Sequence, residues 1–261
     1  MTLLPEFDLT DKVVFITGAG RGIGSGIAEV LAEAGANIAL NALTPKNIER
    51  TVEAIEKKTK RRILTILADV TKSNEVNMAV EKVLSEFGRI DVLINNLGDA
   101  IHHSLVKLPG TEGTAITDEQ LKHILDINMM ATVLCTRVVG PYMLEQRAGK
   151  IINISSFTAR RGGANVAIYS LAKAAVVGFT RTQALEWAPY NVHINSIAPG
   201  LFPEPMDMNE ERLQDLLKRV TIPLQRTGQL REVGYLALYL ASSASDYMTG
   251  QTLYLDGGIT L

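Results

Sequence analysis

Cysteine is nearly absent: Cys135 is the only one among 261 residues. No disulfide can form within the chain, which fits a reducing compartment and makes the cytoplasm the expected location. An excess of one charge sign is also lacking. The 26 Lys and Arg against 28 Asp and Glu leave a formal net charge of −2, so neither nucleic acid nor an anionic membrane is expected as a partner. No apolar run in the sequence approaches the roughly 18 residues that span a bilayer. The first dozen residues carry Glu6, Asp8 and Asp11 in place of the basic-then-apolar pattern of a signal peptide. The four histidines, His102, His103, His123 and His193, do not form a ligand-spaced group with Cys135, so no metal is expected. Repeats, low-complexity tracts and linker-like stretches are missing as well. What remains is 46% hydrophobic and 21% charged residues, the balance of a globular protein with a sizeable core.

Short apolar runs alternate with helical patterns along the chain. Residues 12–17 are β-rich and continuous rather than alternating, which suits a strand buried on both faces of a parallel sheet. Further strands are predicted at 37–41, 63–68, 90–95, 150–155, 192–198 and 252–255. Helices are predicted after the first glycine cluster, closed by Gly35; from Pro45 to about Lys60; from a Ser73 cap to Gly88; from a capping box at Thr117; over 167–187; and near 209–220 and 230–241. The alternation predicts an α/β fold: one Rossmann-type, doubly wound parallel sheet of about seven strands with helices on both faces. A single domain is expected over residues 1–261.

The first strand runs into Thr17-Gly18-Ala19-Gly20-Arg21-Gly22-Ile23-Gly24 and then a helix. Small residues let the backbone approach a ligand, and the helix N-terminus favours an anion, so this junction points to dinucleotide binding. The spacing is T-G-x-x-x-G-x-G; every register of G-x-G-x-x-G fails at its third glycine. An acid at the end of the second strand would read a plain adenosine ribose. The stretch Asn41, Ala42, Leu43, Thr44 has none. Arg21 could pair with a 2′-phosphate, with Lys46 nearby, which leans towards NADP(H). Arg21 can equally be a surface residue, and Asn41 can bond a plain ribose.

Tyr169 and Lys173 stand four residues apart in the predicted 167–187 helix, so both leave one helix face. A free tyrosine has a pKa of about 10, and a neighbouring ammonium favours the phenolate. A phenol shifted that way can serve as a general acid or base. The plain alternative is a core tyrosine beside a snorkelling lysine.

Together these motifs resemble the short-chain dehydrogenase/reductase family. The likeness uses Thr17-Gly18-x-x-x-Gly22-x-Gly24, Asn95-Asn96-x-Gly98, Asn128, Ser156, Tyr169-x-x-x-Lys173, Pro199-Gly200 and the Asp256-Gly257-Gly258 ending, in order along nearly the whole chain. It is general, towards 3-oxoacyl-carrier-protein reductases and small-alcohol and sugar dehydrogenases. The resemblance implies an enzyme that transfers hydride between NAD(P)(H) and a ketone or secondary alcohol. By the same resemblance, Tyr169 would exchange the proton, Lys173 would lower its pKa and hold the nicotinamide ribose, and Ser156 would bind the substrate oxygen. Asn128 would hold a relay water; its alternative is an amide satisfying helix backbone at a bend. Asn95 and Gly98 would line the cofactor, Asp69 and Val70 would meet the adenine, and Pro199 and Gly200 would shape the nicotinamide side, with Ile23 in the glycine loop. Asp69 also reads as a turn residue. Ser155 is expected to stay a strand-end packing residue.

Two departures from the family stand out. Leu97 replaces the usual alanine of Asn-Asn-Ala-Gly. The stretch between Gly98 and Asn128 is about eight residues longer than in the simplest reductases it resembles, and the extra residues fall in 99–117. That loop is expected over the substrate, where His102, His103 and Lys107 either meet it or stay solvated. Arg160 and Arg161 are either an acid-recognising pair or an exposed basic pair. Residues 201–217, with Phe202, Pro203, Pro205, Met206 and Met208, resemble a mobile apolar lid. Likeness to the family also implies a homotetramer or homodimer. The competing expectation is a catalytically idle dinucleotide-binding sensor or scaffold.

Overall fold

The structure is a computed structural model that describes residues 4–261 except 111, 205–208, 210, 212, 215, 216, 218 and 219. Seven strands form one wholly parallel sheet: β1 (Val13–Ile16), β2 (Asn37–Ala42), β3 (Ile63–Leu67), β4 (Val92–Asn95), β5 (Gly149–Ile154), β6 (Val192–Pro199) and β7 (Thr252–Leu255). The spatial order is β3-β2-β1-β4-β5-β6-β7. The chain winds outward from β1 to β3, then crosses back to lay β4 against the other side of β1. That reversal opens a crevice beyond the carboxyl ends of β1 and β4, where open α/β sheets bind ligands.

β1 shows why both faces are covered. Its four residues are all buried, and alternate side chains leave opposite faces. Val14 and Ile16 join a core with α1 (Gly22–Glu33) and the Leu230–Ala241 helix. Val13 and Phe15 join a second core with α3 (Ser73–Phe87). α2 (Pro45–Glu56) starts at Pro45, as expected, and ends about a turn before Lys60. Gly88 closes α3 in the left-handed conformation. Ser73 is not the cap of α3 but its first residue, and Lys72 holds the cap position. Its hydroxyl instead accepts from Arg137 Nη2 at 3.1 Å.

Thr117 does form a capping box with Gln120 and opens α4 (Asp118–Leu125). One wide π turn (Asp126–Met130) joins α4 to α5 (Ala131–Gln146), which contains Pro141. The continuous helical run Asp118–Gln146 is long and apolar enough to cross a membrane, contrary to the reading of the sequence, with a mean hydropathy of 1.2 over its best window. More than half of that window is buried inside the fold, which is the signature of a core helix in a folded domain. α6 (Thr158–Arg161) and α7 (Ala167–Trp187) follow β5. Of the helix expected near 209–220, half of the residues lie outside the described ones; 211, 213, 214 and 217 are helical.

Candidate active site

α7 brings Tyr169 and Lys173 to the carboxyl end of β5. Lys173 is almost fully buried, and its ammonium donates to the Ile154 carbonyl at 2.9 Å. It also lies 5.7 Å from the centroid of the Tyr169 ring. Burial lowers the Lys173 pKa to about 8. The Tyr169 phenol moves the opposite way from expectation. Burial raises it above its ordinary value, a hydrogen bond with Ser156 opposes that, and the Asp99 charge adds to the rise. Desolvation of the phenolate thus sets the direction in this arrangement.

The two adjacent serines divide as the sequence suggested. Ser155 donates to the Lys173 carbonyl at 2.8 Å and fastens α7 to the strand end. Ser156 accepts from the Thr158 amide at 3.2 Å and hydroxyl at 3.0 Å. Asn128 sits in the π turn, fully buried. Its Nδ2 donates to the Asp99 carbonyl at 2.7 Å and the Ile124 carbonyl at 3.0 Å, while its Oδ1 has no hydrogen-bond partner. A Cβ on Gly98 would come within 2.6 Å of Asn128 Oδ1 and 2.9 Å of Lys173 Nζ, so only glycine allows this cluster to close.

A cleft of about 520 Å³ runs from the glycine loop to this cluster, lined by Gly18, Arg21, Gly22, Ile23, Gly98, Tyr169, Lys173, Pro199 and Gly200 among others. Gly18 and Gly22 adopt φ of +62° and +63°, which favours glycine at both. The Gly22 amide, at the start of α1, donates to the carboxylate of Glu204. A side-chain anion therefore already sits where the helix dipole and a free N–H would hold a pyrophosphate. That contact, the two glycines and the run of lining residues from the glycine loop to Lys173 fit a dinucleotide.

Several expected cofactor residues do not line the cleft. Asn41 is buried beneath the loop, its amide donating to the Ala68 and Ile66 carbonyls and accepting weakly from Gly18. It is spent on backbone and cannot read a ribose, although the residues after it, Ala42, Leu43 and Thr44, do line the cleft. Thr17 and Gly24 support from behind: the Thr17 hydroxyl accepts from the Asn96 and Leu97 amides. A Cβ on Gly24 would meet Asn96 Nδ2 at 2.5 Å. Asn95 donates to Thr136 and Asn153 inside the sheet. Asp69 accepts from the Thr71 amide and hydroxyl as a turn residue, and Val70 is core. The sequence reading missed Asn96, which braces the loop by donating to the Thr17 and Gly18 carbonyls. Its place in the Asn95-Asn96 motif was the available signal. Asp99 and His123 in the cleft, and Glu204, carried none.

A second cavity, about 990 Å³, adjoins the first. Ser156, Tyr169 and Gly200 line it, along with His102 from the 99–117 loop, Arg161 and Leu201. Tyr169 and Gly200 line both spaces. His103 instead pairs with Gln120 of the capping box, and Lys107 is exposed. Of the expected lid, Leu201 and Phe202 face the site, whereas Pro205, Met206 and Met208 lie outside the described residues.

Residues 18–260 match the family model described as enoyl-(acyl carrier protein) reductase. A 3-oxoacyl-(acyl-carrier-protein) reductase of Chlamydia muridarum is 35% identical over 253 residues, covering 96% of this chain and 98% of its own. A 2-dehydro-3-deoxy-D-gluconate 5-dehydrogenase of Bacillus subtilis is 37% identical, covering 97% and 96%. The crystal structure of a short-chain type dehydrogenase/reductase from Mycobacterium marinum superposes with a TM-score of 0.87 at 32% identity, over 100% and 99% of the two chains.

The buried lysine makes stability depend on pH in one direction. Below about pH 8 it is protonated folded and unfolded alike. From there towards 10.5, the ordinary value of a lysine, the unfolded chain holds a proton that the folded chain has released, so this group adds stability as pH rises. Urea unfolding of the wild type and Lys173→Met is expected to show a stability difference that is flat below about pH 7.5 and moves in favour of the wild type between about pH 8 and 10. A difference independent of pH throughout would contradict this account.

Proposed function

The chain belongs to the short-chain dehydrogenase/reductase family, and from that premise we propose how its residues carry out the family's chemistry. It is an oxidoreductase acting on ketone and alcohol groups with NAD(P)(H), and its relatives are named reductases and dehydrogenases, which leaves the idle-sensor alternative unsupported. One observation carries the reading: Tyr169 stands at the junction of the glycine-loop cleft and the second cavity. A dinucleotide in the first and a small carbonyl compound in the second would meet at that phenol.

The bound dinucleotide supplies or accepts the hydride. Tyr169 gives the proton to the carbonyl oxygen in reduction and takes it back in oxidation. Burial holds the phenol protonated, the form a donor needs. The Ser156 hydroxyl is the second donor to that oxygen, aimed where negative charge develops. Lys173 holds the ribose hydroxyls, and its ammonium balances the phenolate whenever the proton has left. The unpartnered Asn128 Oδ1 is the acceptor for a water linking Lys173 to solvent. Gly98, Pro199 and Gly200 shape the wall around the nicotinamide. All of this is placed on a single domain over residues 1–261, working in the cytoplasm.

The cofactor reading leans to NADP(H). Arg21 lines the cleft together with Leu43 and Thr44 just past the end of β2, and among the described residues 41–44 there is no acid. Exposed apolar side chains on α5 and α7, namely Tyr142, Leu171 and Leu185, support a homotetramer or homodimer built on the 118–146 and 166–187 helices.

Three outcomes test these assignments. Tyr169→Phe is expected to lower kcat by roughly 10²–10⁴-fold while fluorescence titration shows unchanged dinucleotide affinity; full activity in that variant would refute the proton role. Arg21→Ala is expected to weaken NADPH by about tenfold or more, the scale of a lost charge-assisted hydrogen bond, and to affect NADH little; equal losses would remove the NADP preference. Sedimentation should show a species larger than the 28.4 kDa chain, and a monomer alone at micromolar concentration would overturn the assembly.

A further inference from the structure

We propose that the substrate of this site carries a carboxylate, held by Arg161 with His102 beside it. The inference rests on the reading of the second cavity as the substrate space and narrows what enters it. Among the described residues that line this cavity there is one fixed cation, Arg161, and no Asp or Glu. The polar remainder is Ser156, Thr158, Asn165, His102 and Tyr169. Such a wall attracts a negative charge and leaves a neutral apolar molecule to desolvate a guanidinium for nothing in return.

Arg161 is free to serve. Among the described residues it makes no ion pair, and its one hydrogen bond is a long one, from Nη1 to the Ile259 carbonyl at 3.3 Å. That bond tethers the side chain and leaves most of its five donors open. Arg160 separates from it. Its guanidinium stacks over the Tyr254 ring at 5.4 Å; both arginines line a smaller neighbouring cavity, but only Arg161 also lines the space beside Tyr169. Of the basic pair, then, one member faces the reacting tyrosine's cavity and the other does not.

The charge count favours a carboxylate over a phosphate. A planar carboxylate takes two parallel hydrogen bonds from a single guanidinium. A phosphate dianion would leave its second charge without a cation here, since Arg160 is engaged on Tyr254. The carbonyl to be reduced must lie at Ser156 and Tyr169, with the acid group across the cavity at Arg161. The substrate class is accordingly an oxo acid or hydroxy acid whose reacting carbon is separated from its carboxylate by a short chain.

Matched substrates decide it. A series of short-chain oxo acids, their methyl esters and the corresponding phosphate esters would be run with saturating dinucleotide against the wild type, Arg161→Ala and Arg161→Lys. In the wild type, kcat/KM for the acid is expected to exceed that for its ester by at least tenfold. In Arg161→Ala the ratio should fall towards one, through KM more than kcat, and Arg161→Lys should restore part of it. A preference for the phosphate ester over the acid would overturn the choice of anion. Turnover of the ester with no preference for the acid would overturn the inference and leave the oxidoreductase reading in place. Absence of turnover with every carbonyl compound would count against that reading instead. Calorimetry of the hydroxy acid on dinucleotide-loaded protein then still decides: binding lost in Arg161→Ala upholds the inference, and no binding to the wild type refutes it.

Discussion

The site depends on a cation placed where cations are costly. Lys173 is almost entirely out of contact with solvent, yet it is held by the Ile154 carbonyl at the end of β5. A buried ammonium needs a strong acceptor, and a backbone carbonyl at the end of a strand cannot move to suit another partner. That one bond therefore fixes the rotation of α7 about its axis. Tyr169, one turn earlier, is carried to the boundary between the two spaces, and Ser155 secures the same helix from the strand side through the Lys173 carbonyl. Gly98 must lack a side chain for this arrangement to close.

A second regularity is the division of labour within neighbouring pairs. Ser155 and Ser156, Asn95 and Asn96, and Arg160 and Arg161 each send their two side chains to different partners. For the serines and asparagines the cause is the end of a strand, where successive side chains point to opposite sides. Asn95 stays inside the sheet while Asn96 reaches the glycine loop. For the arginines it is the last turn of α6, a helix of four residues. Doublets of this kind look redundant in a sequence and are not redundant in the fold.

Much of this was legible beforehand. The bounds of α7 match the helix read over 167–187, and the Leu230–Ala241 helix matches the one read near 230–241. The seven strands announce themselves as short apolar runs because the sheet buries both faces. Ser155 makes the backbone bond that its strand-end position suggested, and Ser156 lines the second cavity. What could not be read depends on burial or on distant chain. The direction of the Tyr169 pKa is set by desolvation, which no local spacing encodes. Asn41 stands at the right place for a ribose contact, but its amide is consumed by carbonyls from the β3 side of the sheet. Glu204 meets Gly22 across 182 residues of sequence. The helical run at 118–146 passes a hydropathy test for a membrane span because the core it fills is itself apolar.

The wide turn at Asp126–Met130 has a consequence for how this region can change in length. Each residue of a regular helix advances the side-chain direction by about 100°. Deleting or inserting a single position between the Thr117 cap and Asn128 would swing the asparagine away from Lys173 and Asp99. The stretch 99–117 just ahead is mostly irregular and bears no such phase. A change of length between Gly98 and Thr117 is therefore absorbed in that irregular stretch, which sends Ala100 and His102 to the second cavity, and leaves the helical phase behind it untouched.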